Sequence, residues 1–251
     1  MFDIIHYENR DCVEAMKEYP DNYFDLAIVD PPYGNGLAEN GGCKGWFSKY
    51  HQDSSQSVKV EREPYNRFGQ RFDRYKKVCE VQQCGQTSEV RIKKIISWDI
   101  APKDDYFQEL FRVSRNQIIW GGNYFPLPPT RCFVVWRKTH IPAEGFSMAA
   151  VEYAWTSFQR NAEIYDVGAS RKQNEPERIH ACQKPVQLYM WLLNKFANKG
   201  DKILDTHVGS ASSLIACARM GFECWGFEID QDYYAQSCDR IERELAQGTL
   251  F

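Results

Sequence analysis

The sequence predicts an α/β protein: a doubly wound, mostly parallel sheet with helices on both faces and a basic lobe inserted early in the chain. Three observations lead there. Short apolar runs alternate with helical patterns along most of the 251 residues, which is the order that closes into parallel βαβ units. The run "FDLAIV" at 24–29 is apolar on both faces, as a strand covered on both sides must be. Between 35 and 97 the alternation stops, and a stretch rich in Gly, Gln, Ser and charge takes over.

The elements follow in order. "FDII" at the start reads as a short strand and "DCVEAMKEY" as a helix, followed by the strand at 24–29. Residues 35–97 show little periodicity, and an irregular segment of that length inside a domain usually carries function. "DDYFQELFRV" (104–113) is an amphipathic helix with an acidic first turn. "NQIIWGG", "RCFVVWRK" and "VEYAWTSF" are strands, and 159–182 reads as polar loop. "KPVQLYMWLLNKFA" is a helix with Pro185 in its first turn. "DKILDTHVGSASSLIACARMGFECWGFEID" reads strand, tight loop, helix, strand, and "DYYAQSCDRIEREL" is the last helix.

Composition excludes some classes. Hydrophobic residues make up 43%, enough for a packed core. No run approaches the roughly 20 apolar residues of a membrane helix, so no membrane role is expected. No basic and apolar leader precedes the first strand, and the nine cysteines read as reduced thiols of a cytoplasmic protein. No C-x-x-C pair occurs, so no metal site is expected. Net charge is −3, but 35–97 holds twelve Lys and Arg against seven Asp and Glu, a segment charge of +5 on a remainder of −8. Such an insert suits a polyanion, although charge alone equally describes a solvated loop.

Two motifs carry chemistry. "ILDTHVGSASS" places a strand, the acid Asp205 and small residues opening a helix, whose free N–H groups favour polar ligand groups. Glu228 ends the next strand nineteen residues after Gly209, where an acid accepts the hydroxyls of a ribose. The G-x-G-x-x-G pattern of a dinucleotide enzyme is absent, so a nucleoside without phosphates fits better. The second motif is "DPPYG" at 30–34. Pro31 and Pro32 fix φ and remove two donors, leaving a rigid set of acceptors in the Asp30 carboxylate and the Pro31 carbonyl, with Tyr33 as a flat surface. That set suits a planar ring bearing an exocyclic amine.

"DPPYG", "LDTHVGSASS" and "FEID" (227–230) together resemble the amino-methyltransferases of DNA, which act on adenine N6 or cytosine N4 with S-adenosylmethionine. The catalytic motif comes first and the cofactor loop last, as in the permuted β group of that family. The resemblance covers 1–34 and about 98–246, apart from the insert, and implies a Rossmann-like methyltransferase fold with seven strands. It implies that Asp30, Pro31, Pro32 and Tyr33 hold the target amine and stack on the flipped base, and that Asp30 also borders the cofactor. It further implies that Asp205, His207, Gly209, Ser210 and Ser212 line the amino-acid end of the cofactor. Lys184, in a stretch resembling the family's histidine–glutamine–lysine–proline segment, lies at the methionine end. Glu228 serves the ribose, and Ile229 and Asp11 lie near the adenine. Departures are Thr206 and His207 where Pro-Phe is frequent, Ala211 where a second glycine is usual, and Ala181–Cys182 where Pro-Thr is common.

The resemblance implies direct methylation of an amine in double-stranded DNA, adenine N6 favoured over cytosine N4, with the base rotated out of the duplex. It leaves open a homodimer, a cognate restriction endonuclease, and a non-catalytic DNA-binding protein of the same fold. A C5-cytosine enzyme needs a Pro-Cys nucleophile, and none occurs. Arg62, Arg67, Arg71, Arg74, Lys76 and Lys77 in the insert, together with Asn123, are the expected DNA contacts.

Overall fold

The computed structural model describes residues 2–34, 100–139, 149–168, 179–180 and 182–247. The insert at 35–97, with its six expected DNA-contacting side chains, lies outside the described residues. A single sheet of eight strands organises the rest: β1 (Ile5–Glu8), β2 (Phe24–Val29), β3 (Ser114–Trp120), β4 (Phe133–Arg137), β5 (Val151–Thr156), β6 (Glu163–Asp166), β7 (Ile203–Asp205) and β8 (Cys224–Phe227). The helices are α1 (Cys12–Met16), α2 (Asp104–Val113), α3 (Val186–Phe196), α4 (Ser212–Met220) and α5 (Gln231–Gln247).

The strand order is β1-β8-β7-β2-β3-β5-β4-β6. β5 runs antiparallel to both its neighbours, and the other pairings are parallel. From the middle pair, β2 is followed outward by β3 and β7 by β8 on the other side. The winding therefore reverses between β2 and β7, and the crevice beyond the carboxyl ends of such a pair is where open α/β sheets bind ligands.

Two cores explain why β2 is apolar on both faces. Leu26 and Ile28 pack with α3, α4 and α5 on one side, while Ala27 and Val29 pack with α1 and α2 on the other. All four side chains are at most 1% exposed.

The first residues correct the expected opening strand: Phe2–Ile4 form a 3-10 turn, and the strand begins at Ile5. The sheet also has one strand more than the seven the resemblance implies. β6 comes from the stretch that reads as polar loop. Its pattern of alternating half-buried and exposed residues suits an edge strand, paired to β4 alone. Pro185 sits at the N-cap of α3 rather than inside its first turn.

Candidate active site

β2 delivers Asp30 to the carboxyl edge of the sheet beside the winding reversal. The Tyr33 hydroxyl donates to Asp30 Oδ1 at 2.8 Å, and the Lys184 ammonium donates to Oδ2. Both carboxylate oxygens are thus engaged. The Tyr33 ring stacks on Tyr124 with centroids 4.9 Å apart and planes 18° from parallel. Gly121 makes this possible. It follows β3 in the left-handed region at φ +66°, and a Cβ there would lie 2.2 Å from the Tyr33 ring.

Behind Lys184 stands Glu152, 3.3 Å away, and behind Glu152 stands Lys138. Lys184 and Lys138 are 4% and 6% exposed. Burial pushes the Asp30 carboxyl above its ordinary range, with the charge of Lys184 as the main counterweight. Burial also works against the charge of Glu152, but Lys184 and Lys138 outweigh it and hold that carboxyl below its ordinary range. Lys184 is disfavoured by burial, yet Asp30 and Glu152 raise its proton affinity well above that of a free lysine.

Two residues beyond Asp30, Pro32 lines a cavity of about 460 Å³, together with Asp11, Cys12, Tyr106 and His207, among others. Asp11 is the N-cap of α1, accepting from the N–H of Val13 at 2.8 Å and of Glu14 at 3.0 Å. His207 Nδ1 lies 2.9 Å from Thr206 Oγ1, which in turn lies 2.7 Å from the Tyr106 hydroxyl. Burial lowers the His207 pKa to about 4, so the imidazole is neutral.

Asp205 is 3% exposed. It accepts from the Ser213 hydroxyl and from the His207 N–H at 3.0 Å. Burial raises its pKa to about 7 despite those bonds. Glu228 ties two loops together: one oxygen accepts from the N–H of Gly209 and the other from that of Asp230, both at 2.9 Å. Arg240, 3% exposed, reaches from α5 to the Ser210 carbonyl at 2.5 Å and the Ser212 hydroxyl at 2.9 Å. It braces the loop that enters α4 through Ala211, itself left-handed at φ +61°.

The structure brings Asp30, Pro31, Pro32, Tyr33 and Lys184 together at one corner. It gathers Asp205, His207, Gly209, Ser210, Ser212 and Glu228 along the loop after β7. Asp11 faces the cavity shared with His207, and Ile229 is 68% exposed beside Glu228. Asn123 is exposed next to Tyr124. Lys184 lies against Asp30, a contact the sequence reading did not foresee. Glu152, Lys138 and Arg240 were missed altogether. The signal for Glu152 was an acid near the start of an apolar strand, "VEYAW".

A family model described as "DNA methylase", for N6 and N4 methyltransferases, matches residues 46–239. The match begins within 35–97, after Asp30. The curated Type II methyltransferase M.HpaI of Haemophilus parainfluenzae is 30% identical over 93% of this chain and 73% of its own length. Type II methyltransferase M2.DpnII of Streptococcus pneumoniae is 23% identical over 96% of this chain and 90% of its own. Among solved structures, PvuII DNA methyltransferase, described as cytosine-N4-specific, superposes with a TM-score of 0.54 at 11% identity, covering 97% of this chain and 91% of that one. At that identity the likeness shows the fold.

Proposed function

The chain belongs to the DNA methylase family of N6 and N4 amino-methyltransferases, and from that premise we propose that it methylates adenine N6 in double-stranded DNA, with Asp30 and the Pro31 carbonyl holding the target amine. The observation that carries this reading is the place of Asp30: a carboxylate at the winding reversal, on a proline-stiffened corner, with Pro32 lining the adjoining cavity. Asp rather than Ser at the head of the tetrapeptide supports adenine over cytosine.

S-adenosylmethionine is the cofactor of this chemistry and supplies an electrophilic methyl on a sulfonium. The residues present fit it. The cavity volume lies within the range of small-molecule sites. Asp11 and a neutral His207 suit an adenosine, and the Gly209–Ser212 loop with Glu228 suits the remaining polar groups.

The chain's own work is positioning. Asp30 Oδ1 and the Pro31 carbonyl each take one N–H of the target amine, drawing the nitrogen lone pair out of conjugation with the ring. Tyr33, which now donates to Oδ1, yields that acceptor and offers its ring face. The nitrogen must shed a proton after transfer. The Asp30 carboxyl, with its proton affinity raised by burial, is the nearest group to receive it.

We further propose that the insert contacts phosphates through Arg62, Arg67, Arg71, Arg74, Lys76 and Lys77, and that Asn123 touches the DNA near the target base. The Type II names of the relatives support a role in restriction–modification in the cytoplasm, beside a cognate endonuclease. No described helix is long and apolar enough to cross a membrane. The test is to incubate the protein with unmethylated genomic DNA and S-adenosylmethionine, then quantify methylated nucleosides by mass spectrometry. N6-methyladenine from the wild type and none from Asp30→Ala is expected. N4-methylcytosine instead would overturn the choice of base, and no methylated base the whole reading.

A further inference from the structure

Four charged side chains of alternating sign run along the carboxyl edge of the sheet: Lys138 after β4, Glu152 in β5, Lys184 before α3 and Asp30 after β2. Each touches the next, through Lys138–Glu152, Glu152–Lys184 and Lys184–Asp30 ion pairs. We infer that Glu152 and Lys138 are positioning residues for the reaction: they set how firmly Lys184 grips Asp30 Oδ2, and so how much negative charge Asp30 keeps for the target amine. The inference rests on the reading of Asp30 as the amine's acceptor.

The physical argument starts from cost. Burying ion pairs gains little stability compared with packing apolar residues in the same space. A neutral row of four charges, with both lysines almost wholly enclosed, is therefore a device for placing charge. Aromatic rings floor it: Lys184 Nζ lies 5.2 Å from the centre of the Trp120 ring, and Lys138 Nζ 5.0 Å from that of Trp136. The rings favour ammonium ions at these two points.

The row then works as a divider. Lys184 bound to Asp30 alone would neutralise the acceptor that the amine needs. Glu152 draws part of that charge away. Lys138 in turn occupies Glu152 and keeps it from stripping Lys184 off Asp30. The other titratable groups that face Asp30 are Tyr33 on its own loop, Tyr189 on α3, Asp205 on β7 and Tyr106 on α2. Lys184 is the cation acting on Asp30 among the described residues. Glu152 also acts on Asp30 directly, its negative charge raising the Asp30 proton affinity, so a change in the row reaches Asp30 through Lys184 and through that field in the same direction.

The signature is a pair of opposite shifts. Glu152→Gln leaves Lys184 to Asp30 and lowers the Asp30 pKa. Lys138→Met frees Glu152 to compete for Lys184 and raises it, and Lys184→Met raises it further. Shifts of about one unit are expected for a charge at such distances. The Asp30 ionisation is read without turnover, as the pH dependence of the unfolding free-energy difference between each variant and the same variant carrying Asp30→Asn. The second readout is the acid limb of single-turnover methyl transfer, with cofactor affinity measured by calorimetry.

Opposite midpoint shifts for Glu152→Gln and Lys138→Met, matched by the acid limbs, with the cofactor affinity of both variants within about twofold of wild type, are the expected result. Midpoints that stay put or move together overturn the inference. Midpoints that move as stated while the rates ignore them overturn instead the assignment of Asp30 to the amine. Should Lys184→Met fail to fold, the Glu152 and Lys138 variants decide the matter.

Discussion

Gly121→Ala should damage the active site through one clash that can be isolated. The new Cβ would sit 2.2 Å from Tyr33 Cε1 and 2.6 Å from Cδ1 and Cζ. Ordinary contact begins about 1.2 Å farther out, so the ring must shift by about that distance or the β3 end must open. Tyr124 stacks against the ring and Phe125 meets it edge-on, so the ring retreats only by breaking one of these contacts. The 2.8 Å bond to Asp30 breaks with it. The left-handed backbone alone costs an alanine about 1 kcal/mol. Losing the hydroxyl bond and disturbing the stack add roughly 1 to 2 kcal/mol, for a total of about 2 to 3 kcal/mol. A displacement of about 1 Å at the acceptor corner should also slow methyl transfer by about a hundredfold. Urea unfolding and single-turnover methylation measure the two effects. The decisive control is Gly121→Ala in a Tyr33→Ala background, where only the backbone strain of about 1 kcal/mol should remain. Equal costs in both backgrounds would refute the argument, because the penalty would then lie in the turn and not in the ring.

Other outcomes follow from the same geometry. Between about pH 4 and 6.5 an unfolded His207 takes up a proton that the folded one refuses, while a folded Asp205 keeps a proton that the unfolded one gives up. Their stability slopes have opposite sign and largely cancel. Asp205→Asn should therefore make stability rise with pH across that window by up to about 1.4 kcal/mol per unit, and His207→Gln should make it fall, both read by urea unfolding at stepped pH. Arg240→Met removes the brace on the Ser210 carbonyl and should cost about 2 kcal/mol together with at least a tenfold loss of cofactor affinity by calorimetry. Arg71→Ala with Arg74→Ala should flatten the salt dependence of DNA binding by roughly two units of log–log slope; an unchanged slope would remove the insert from the interface.

The central strands were legible because burial on both faces leaves a direct mark: "FDLAIV" has no polar stripe, and it forms β2 at the expected residues. Asp30 was legible for a related reason, since an acid that ends such a strand must emerge at the sheet edge. Edges left weaker marks. β6 has one neighbouring strand and half its residues exposed, so its four residues satisfy a polar-loop pattern equally well. The row behind Asp30 left none that a local reading could find. Lys184 and Asp30 are 154 positions apart. Glu152 reaches Lys184 because β5 runs antiparallel and brings its first residues to the edge where β2 and β4 end. Sequence spacing shows which groups share a strand or a helical turn. Which acid meets which lysine across the sheet edge depends on strand order, and that order arises only when the whole sheet assembles. A reading confined to motifs therefore finds Asp30 and misses the charged residues that the assembled sheet lines up behind it.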